Sequence, residues 1–565
     1  MYQLNDESTL AKILAFGAAA TTLLVVTGSV TDPVNATKHF LLGGIAIASL
    51  FVLVGKGSAL SWRENRFPAI FVALFFVGIC VATVFSEAPL GQNVYGTYGR
   101  NTGFLAYLFL AIVFLSAAVL RNSKSFKLVV LGLFVAGFMN VLYSAWVLIF
   151  GDPINWNNPY GALLGTLGNP NFISSLLGLF SALVVAYLIA PKIKLLSRVV
   201  AFFLAGLAIF EISDTNSIQG YVVAAACISF VVFLRIRASK YKVISWAYLV
   251  LFAIAGATAV AGVFKVGPLT KFLYQGTMAF REQYWRAAIN MGLESPFTGI
   301  GMDAYGDSYR ASRELAALTA PGVQVVSNSA HNVILDLFAS GGLVVLISYL
   351  AMITLSALSL LKVVRRTEEF NPVFAVLAAT WLGYQLQSLI SINQLGLAVW
   401  GWLISGALIG YEISIRPKKE LDSAFPKSNN SRVVRSNQSV ISGNLLGGVG
   451  AVIGFLIAVP PLSADSAWAN STKSGNFTQV ELALTPSYFH PESSNRYVNV
   501  VQVLENSKLH DQARKYALKA VEYNPGNFDS WLALYSIQAS TPEEKARAVK
   551  MLKKLDPFNP DVTAR

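Results

Sequence analysis

Long apolar stretches follow one another along most of this sequence, and they constrain its fold more than any other feature. A helix needs about 20 mostly apolar residues to cross a bilayer. Of all residues, 54% are hydrophobic and only 13% are charged, a balance that is not typical of a soluble domain. We expect an all-α polytopic membrane protein with about thirteen transmembrane helices, at residues 9–30, 38–55, 67–85, 102–120, 127–150, 170–190, 196–211, 218–234, 243–264, 332–361, 373–391, 396–415 and 442–462.

Basic residues fall mainly in every second connection between these spans. One such connection carries Lys192, Lys194 and Arg198, whereas the other set offers little beyond Lys38 and Arg100. Cytoplasmic loops of membrane proteins collect Lys and Arg. The amino terminus is therefore expected in the cytoplasm, and an odd number of spans places the carboxyl terminus outside. The same distribution explains the formal charge of +13, so we expect no nucleic-acid partner.

Composition divides the chain into four parts. Residues 1–415 are predicted to form a multi-spanning membrane domain with a long extracytoplasmic loop at 265–330, in which "FREQYWRAAINMGLE" has the apolar rhythm of a helix. Residues 416–441 are rich in Ser and Asn and are typical of a cytoplasmic linker. Residues 442–462 form the last predicted span, and 463–565 are expected to form a polar helical domain outside the membrane.

This carboxyl-terminal part contains a weak internal repeat. The segment "NPGNFD" at Asn524 recurs as "DPFNPD" at Asp556, an offset of 32 residues (556 − 524), close to the tetratricopeptide period. Thr541 and Glu544 predict a capping box with Pro542 in the first helical turn. We predict a small tetratricopeptide-like helical domain, which is also a candidate surface for a protein partner.

Several kinds of site have no support in the sequence. Cys80 and Cys227 are the only cysteines, and each lies inside an apolar run, so neither a disulfide framework nor a CxxC metal site is expected. The sequence contains no Walker A loop, dinucleotide fingerprint or serine nucleophile elbow. We expect no metal and no cofactor. The energy for any reaction outside the cell would then come from the substrate itself.

Arginines on the predicted outer side are the first candidates for chemistry. Arg100, Arg281 and Arg286 lie where the positive-inside rule does not place them. A guanidinium binds phosphate by two hydrogen bonds and keeps its charge at physiological pH, so these residues could hold a diphosphate head group. The alternative is that an arginine near the end of a span reaches out to lipid phosphates.

His331 directly precedes the long apolar run that starts near residue 332, and the chain has only four histidines. A neutral imidazole can accept a proton from an attacking hydroxyl at physiological pH, which Arg and Lys do not readily do. The alternative is that His331 caps a helix or has no chemical role. For a single histidine this second role is the more common one, whereas two arginines and a histidine on the same outer side make a stronger case for chemistry than any one of them.

The order of three motifs resembles the O-antigen ligase and polymerase superfamily. These motifs are R-x-x-Y-W-x-A at 281–287, P-x-x-G-I-G-x-x-x-Y at 296–305, and His331-Asn332 before a span that contains Gly341 and Gly342. The segments "YGRNTG" and "GNPNF" are also similar to family features. The resemblance covers roughly residues 10–415. Members include O-antigen ligases, polysaccharide polymerases and O-linking oligosaccharyltransferases, and some carry carboxyl-terminal tetratricopeptide repeats.

The resemblance implies a bundle like that of C-type glycosyltransferases in the bacterial cytoplasmic membrane, with the active site outside. A glycan would move, without metal, from undecaprenyl diphosphate to a hydroxyl of a lipid, glycan or protein acceptor. By resemblance, His331 would activate the acceptor and Arg281 would stabilise the leaving diphosphate. The other residues expected to bind the diphosphate or the glycan are Arg100, Arg286, Tyr284 and Asn332.

One departure from the family pattern concerns the diphosphate. Many relatives carry an outer Thr-x-Ser-Arg motif, whereas this chain has "DTNSIQG" with Ile218 at the arginine position. The site would then have one clamp fewer, or Arg100 would replace it.

Two other classes of function compete with the transferase. One is a transporter without covalent chemistry, although few ionisable residues lie within the predicted spans. The other is a scaffold whose repeats recruit partners. Within the transferase class, the sequence does not choose among ligase, polymerase and protein glycosyltransferase.

Overall fold

The computed structural model describes residues 2–55, 62–155, 158–274, 277–417 and 441–564, and every regular element in these ranges is a helix. The predicted all-α fold is confirmed. Apolar surroundings favour this outcome, because a helix satisfies the N–H and C=O groups of its own backbone. Most of the predicted linker at 416–441 lies outside the described residues.

Fourteen helices build the bundle and its short connections. They are α1 Tyr2–Leu23, α2 Asn35–Gly55, α3 Trp62–Val84, α4 Leu90–Tyr95, α5 Phe104–Ala118, α6 Ser123–Phe150, α7 Pro170–Leu188, α8 Leu195–Asp214, α9 Ile218–Arg237, α10 Lys242–Val263, α14 Val333–Arg366, α15 Pro372–Ser388, α16 Leu395–Ser414 and α17 Gly443–Ala458.

The remaining helices lie outside the bundle. The long connection between α10 and α14 contains α11 Thr270–Leu273, α12 Thr277–Glu294 and α13 Tyr305–Ser312. The carboxyl-terminal part contains α18 Pro460–Ser474, α19 Phe477–Leu484, α20 Ser494–Asn506, α21 His510–Tyr523, α22 Phe528–Ser536, α23 Pro542–Leu555 and α24 Pro560–Thr563.

Nine helices of the described chain are long and apolar enough to cross a membrane, or ten if α17 and α18 form one bent span. Helices also form at the three other predicted spans, but α5 has 15 residues, α15 has 17, and α1 begins with the polar segment "YQLNDES". A multi-pass membrane protein is therefore supported, whereas the count of thirteen stays a prediction.

The last predicted span is not one straight helix to residue 462. The chain bends by 51° between α17 and α18, where Pro460 and Pro461 occupy the first positions of α18. Proline has no backbone N–H, so it starts a helix readily and interrupts one that continues. The apolar helix α17 thus ends at Ala458, and the chain enters the carboxyl-terminal part in a new direction.

Helix α16 lies at the centre of the bundle and α10 at its edge. The apolar window of α16 is 100% buried, and that of α10 is 6% buried. Helix α17 packs along α2 through glycines, and a Cβ at Gly454 would lie 2.2 Å from the carbonyl oxygen of Gly43. Small residues let two backbones approach this closely.

The connections at 24–34, 85–103, 151–155, 158–169 and 389–394, together with the described residues of the long connection, lie at the same end of the bundle, which we call the loop side. Contacts join them: Asn35 Nδ2 donates to the carbonyl of Gly99 at 2.8 Å, and Asn332 Nδ2 donates to that of Leu389 at 3.0 Å. The carboxyl-terminal helices also lie on the loop side, since Asp556 contacts Arg310 in α13 and Arg313 directly after it. The predicted residues of the active site and the carboxyl-terminal part therefore share one side.

Successive carboxyl-terminal helices pack on one another around their own apolar core. The predicted capping box is confirmed: the side chains of Thr541 and Glu544 each accept a hydrogen bond from the other's backbone N–H, at 3.2 and 2.8 Å. The assignment of these helices to the tetratricopeptide family stays a prediction.

Candidate active site

Helix α12 forms where the sequence predicts a helix in the long connection, and it carries Arg281 and Tyr284 on one face. The two residues are three positions apart, so their side chains lie on the same side of the helix. Both are buried, with 6% and 8% of their surface exposed. The face of α12 that turns toward the bundle therefore contains a cation next to an aromatic ring.

The guanidinium of Arg281 has no acidic partner among the described residues. Its Nη1 lies against Met278 Sδ, and its Nε is buried without a hydrogen-bond acceptor. Burial lowers the pKa of Arg281 to about 10, so the group stays cationic at neutral pH. A buried charge without a partner is costly, which makes this guanidinium a candidate for an anionic ligand.

His331 lies in the turn before α14, with its ring packed on Tyr284 at 5.6 Å between the ring centroids. Burial, together with the positive charges of Arg281 and Arg100, lowers the pKa of His331 to about 3. The imidazole is therefore neutral at physiological pH and free to accept a proton. The predicted pair of Arg281 and His331 is thus brought together around one tyrosine.

Asp336, in the first turn of α14, fixes the backbone that leads into His331. Its carboxylate accepts hydrogen bonds from Ser329 Oγ at 2.8 Å and from the N–H of Ala330 at 2.9 Å. It also lies 3.4 Å from Nη2 of Arg100. A buried carboxylate therefore fixes the turn before α14, and the imidazole of His331 takes no part in these hydrogen bonds.

Arg100 is buried between two carboxylates. Its Nε lies 3.6 Å from Asp303, its Nη2 contacts Asp336, and its Nη1 donates to the carbonyl of Asn328. The expectation that Arg100 replaces a missing diphosphate clamp has little support in this geometry, because its charge is already offset. Its contacts instead join the segments at 97–102, 303 and 328–336.

The structure does not bring Arg286 to this group. Arg286 is exposed on another face of α12, where its guanidinium contacts Glu282 at 3.1 Å and Glu314 at 3.4 Å. Five helical positions separate it from Arg281, so the two side chains leave the helix in different directions. Its role in diphosphate binding therefore has no support from the geometry.

Asn332 serves as the N-cap of α14. Its Oδ1 accepts a hydrogen bond from the N–H of Leu335 at 3.1 Å, and its Nδ2 donates to Leu389. Ile218, at the position where relatives carry an arginine, is 53% exposed and adds no charge. In this geometry Asn332 caps a helix and Ile218 contributes no charge. Arg281 remains as the cation next to the tyrosine that packs on His331.

A break in α14 allows the segment that follows α12 to pack against α14. Gly342 has φ +67 and ψ −164 inside α14, and this opening lets the segment 296–301 form backbone hydrogen bonds with the helix. Ile300 N–H donates to Ala339, Gly301 N–H to Ser340, and Leu343 N–H to Pro296, at 3.0, 3.1 and 2.7 Å. The P-x-x-G-I-G motif therefore docks on the broken helix.

A cavity of about 360 Å³ opens on the loop side next to Arg100. The predicted family segments "YGRNTG" and "GNPNF" both contribute to its wall, together with residues 27–35 and 392–394. Its size falls in the range of small-molecule sites. The two segments, 65 or more positions apart in the chain, therefore line one space beside the charged network.

The analysis of the sequence missed Asp303 and Asp336, which hold Arg100 and the turn before His331. A signal was present for Asp336, because it is an acidic residue at the start of a long apolar helix. Ionisable residues inside membrane helices are rare and generally functional. Asp303 lies in a polar loop and carried no such signal.

Comparison with protein families gives one match. Residues 207–350 match a family model described as O-Antigen ligase. This range contains Arg281, Tyr284, His331 and Asn332 and leaves out Arg100 and the carboxyl-terminal helices. The match supports the ligase and polymerase superfamily and, in general terms, an enzyme of the glycosyltransferase type that transfers glycans at a membrane. The comparison with curated proteins returned no match.

Proposed function

We propose that this protein moves a glycan from undecaprenyl diphosphate to an acceptor hydroxyl. The observation that carries the proposal is Arg281, a buried cation without a described acidic partner, next to the neutral base His331. A diphosphate would supply the missing negative charge. An acceptor hydroxyl between the sugar and the imidazole would then be placed for attack.

The reaction balances without an added reactant. The acceptor oxygen bonds to the anomeric carbon while the bond from that carbon to the diphosphate oxygen breaks. The electron pair leaves with the diphosphate, and the hydroxyl proton passes to His331. Arg281 stabilises the negative charge that grows on the leaving group, as fixed cations do in other transfers. Direct displacement inverts the configuration at the anomeric carbon.

Substrate binding would also adjust the base. In the free protein, burial and two arginines keep the pKa of His331 at about 3. A bound diphosphate offsets the charge of Arg281 and adds negative charge nearby, which raises the pKa of the imidazole. The histidine therefore becomes a stronger base when the donor is in place.

In this proposal the protein lies in the bacterial cytoplasmic membrane, with its amino terminus inside and the loop side outside. The undecaprenyl chain lies among membrane lipids, and its diphosphate reaches Arg281 at the boundary. The same donor chemistry serves lipid, glycan and protein acceptors. Arg281 provides the positive charge that a metal ion provides in other transferases, so the proposed reaction uses no metal and no cofactor.

The test uses purified protein with a fluorescent glycan on undecaprenyl diphosphate and a set of candidate acceptors. We expect the wild-type protein to release undecaprenyl diphosphate. His331→Ala should slow this release by roughly 100-fold to 10,000-fold, the usual contribution of a general base. Arg281→Ala should slow it by roughly 100-fold to 1,000-fold, the usual cost of losing one stabilising donor.

Two variants serve as matched controls. Arg365→Ala removes an exposed arginine at the far end of α14, and His490→Ala removes a histidine outside the site. Both should keep the wild-type rate. Undiminished release from the His331 and Arg281 variants would refute the assigned roles. Uptake of a solute that survives both substitutions would favour the transporter.

A further inference from the structure

We propose that Asp556, in the carboxyl-terminal helices, is a positioning residue for the proposed transfer, because it fixes α13 and through it the pair of Arg281 and His331. The inference rests on the proposed function for its kinetic part. Its structural part concerns contacts between the carboxyl-terminal helices and the long connection, and it can be tested without any reaction.

Asp556 forms a buried ion cluster with two arginines of the long connection. Its two carboxylate oxygens lie 2.7 and 2.8 Å from Nη2 of Arg313, and Oδ2 lies 3.0 Å from Nη1 of Arg310. The side chains of Asp556 and Arg313 are 0% exposed, and that of Arg310 is 9% exposed. Salt bridges on a surface contribute little, but removing one partner of a buried cluster is strongly destabilising.

Neighbouring contacts make this cluster part of a wider interface. Arg310 also lies over the ring of Phe528, 4.2 Å from its centroid. Asp307, one turn earlier in α13, accepts hydrogen bonds from Asn524 Nδ2 at 3.0 Å and Asn527 Nδ2 at 2.8 Å. One face of α13 is therefore held by the carboxyl-terminal helices along its length.

Helix α13 in turn holds the site through tyrosines. Tyr305 Oη donates to the carbonyl of Tyr284 at 2.7 Å, and Tyr309 packs edge-on against the ring of Tyr284 at 5.6 Å. Tyr284 packs on His331 and lies one turn from Arg281. The chain of contacts from Asp556 to the proposed base therefore passes through α13 and one tyrosine.

A second route runs from the cluster toward His331 along the backbone. Arg313 uses its other nitrogen, Nη1, to donate to the carbonyl of Val323 at 2.9 Å. Gln324 Nε2 donates to Asp561 Oδ2 in α24 at 3.0 Å. The segment that leads from residue 323 to the turn before His331 is thus attached to the same carboxyl-terminal helices.

The experiment compares the full-length wild-type protein with Asp556→Asn, which removes the charge but keeps the shape. Hydrogen–deuterium exchange should rise in peptides that cover 305–312 and 327–336. The kcat for release of undecaprenyl diphosphate should fall on the order of 100-fold, the scale of a misplacement of about 1 Å. The KM for the lipid donor should stay within about threefold, because a positioning residue does not itself bind the donor.

Three further variants sharpen the result. Asp511→Asn makes the same change at an exposed aspartate of α21 and should match wild type. The triple variant Asp556→Leu with Arg310→Met and Arg313→Met replaces the cluster by apolar side chains, which often preserves such contacts, and should recover kcat and exchange. Arg310→Gln is milder, because Arg313 still pairs with Asp556, and it covers the case in which Asp556→Asn does not fold.

The outcomes separate this proposal from the proposed function. Faster exchange at 305–312 without faster exchange at 327–336, or with unchanged kcat, would overturn the positioning role. Unchanged exchange at 305–312 would show that Asp556 does not fix α13. If the wild-type protein releases no undecaprenyl diphosphate, the proposed function fails. Exchange at 327–336 in Asp556→Asn then still decides whether the contacts of Asp556 fix the turn that carries His331.

Discussion

At the residue scale, the site depends on how few partners its two central side chains have. His331 has φ +52, a left-handed conformation that side chains other than glycine adopt rarely. Its backbone N–H donates to Ser329 Oγ at 3.2 Å, and Asp336 fixes the residues just before it. The surrounding contacts therefore hold the backbone and leave the imidazole nitrogens without a hydrogen-bond partner among the described residues.

The pH dependence of transfer should reflect this environment. Because the pKa of His331 in the free protein is lowered to about 3, the imidazole is neutral throughout the range from about pH 5 to pH 8. We expect kcat/KM, which reports the free enzyme, to show no acid limb in that range. As the pH is lowered, kcat should begin to fall at a higher pH than kcat/KM does. The reason is that bound diphosphate raises the pKa of His331, so the base is protonated earlier in the enzyme–substrate complex. Initial rates across the pH range measure both.

The His490→Ala variant is the control for this profile, because it removes a histidine that lies away from the site. Its profile should coincide with that of the wild type. An acid limb in kcat/KM near pH 6.5, the ordinary value for histidine, would show that His331 is not held in the surroundings described above, or that another group is the base.

At the element scale, the break in α14 joins the two parts of the site. His331 lies in the turn before α14, a helix of the bundle, whereas Arg281 lies in α12, within the long connection. The backbone hydrogen bonds between 296–301 and 339–343 fix their relation. The break needs a backbone conformation that only glycine adopts readily.

Replacement of Gly342 by alanine tests the role of this break. The φ and ψ of Gly342 lie in a region reserved for glycine, and a Cβ there would lie 2.7 Å from the carbonyl oxygen of Pro296. We expect Gly342→Ala to destabilise the protein by about 1–3 kcal/mol and to slow transfer. Thermal unfolding in detergent and the release assay measure the two effects.

Gly256→Ala in α10 is the matched control, because a Cβ at Gly256 meets no atom within 4 Å. It should leave stability unchanged or raise it slightly, as alanine favours a helix. Equal unfolding temperatures for the two variants would show that the docking of 296–301 on α14 contributes little.

At the scale of the whole molecule, several sets of contacts hold the carboxyl-terminal helices in place. The ion cluster around Asp556 attaches them to the long connection, and the backbone N–H groups of Thr31 and Asp32 donate to Asp465 in α18. The close crossing of α17 with α2, where Gly454 faces Gly43, fixes the helix that leads into them. Since α17 leads directly into α18, its position on α2 sets where the carboxyl-terminal part meets the loop side.

Gly454→Ala should disturb this crossing. The added Cβ would lie 2.2 Å from the carbonyl oxygen of Gly43, which is backbone and moves only with its helix. Overpacking of this kind costs about 1–3 kcal/mol. Gly448→Ala, in the same helix but with nothing within 4 Å, is the control and should unfold at the wild-type temperature. The unfolding temperatures of the two variants are compared. Equal temperatures would refute the close crossing of α17 with α2.

The sequence alone predicted those features that depend on neighbouring residues. Long apolar runs predicted the helices, and Thr541 and Glu544 predicted a capping box, because a helix and its caps are formed by residues close in the chain. The same local patterns, with the family resemblance, named Arg281 and His331 as candidates. Pro460 and Pro461 could have revealed the end of α17, since the effect of proline on a helix is also local.

Only the tertiary structure decided which charged groups are free and which are paired. From the sequence, Arg100 was predicted to bind the diphosphate, but its guanidinium contacts Asp336, 236 residues away in the chain. Arg286 was predicted to do the same, but it contacts Glu282 and Glu314 instead. Compensation of a charge depends on contacts between distant residues, which no local pattern contains. For the same reason, the chain of contacts from Asp556 to His331 could be found only after the helices were placed together.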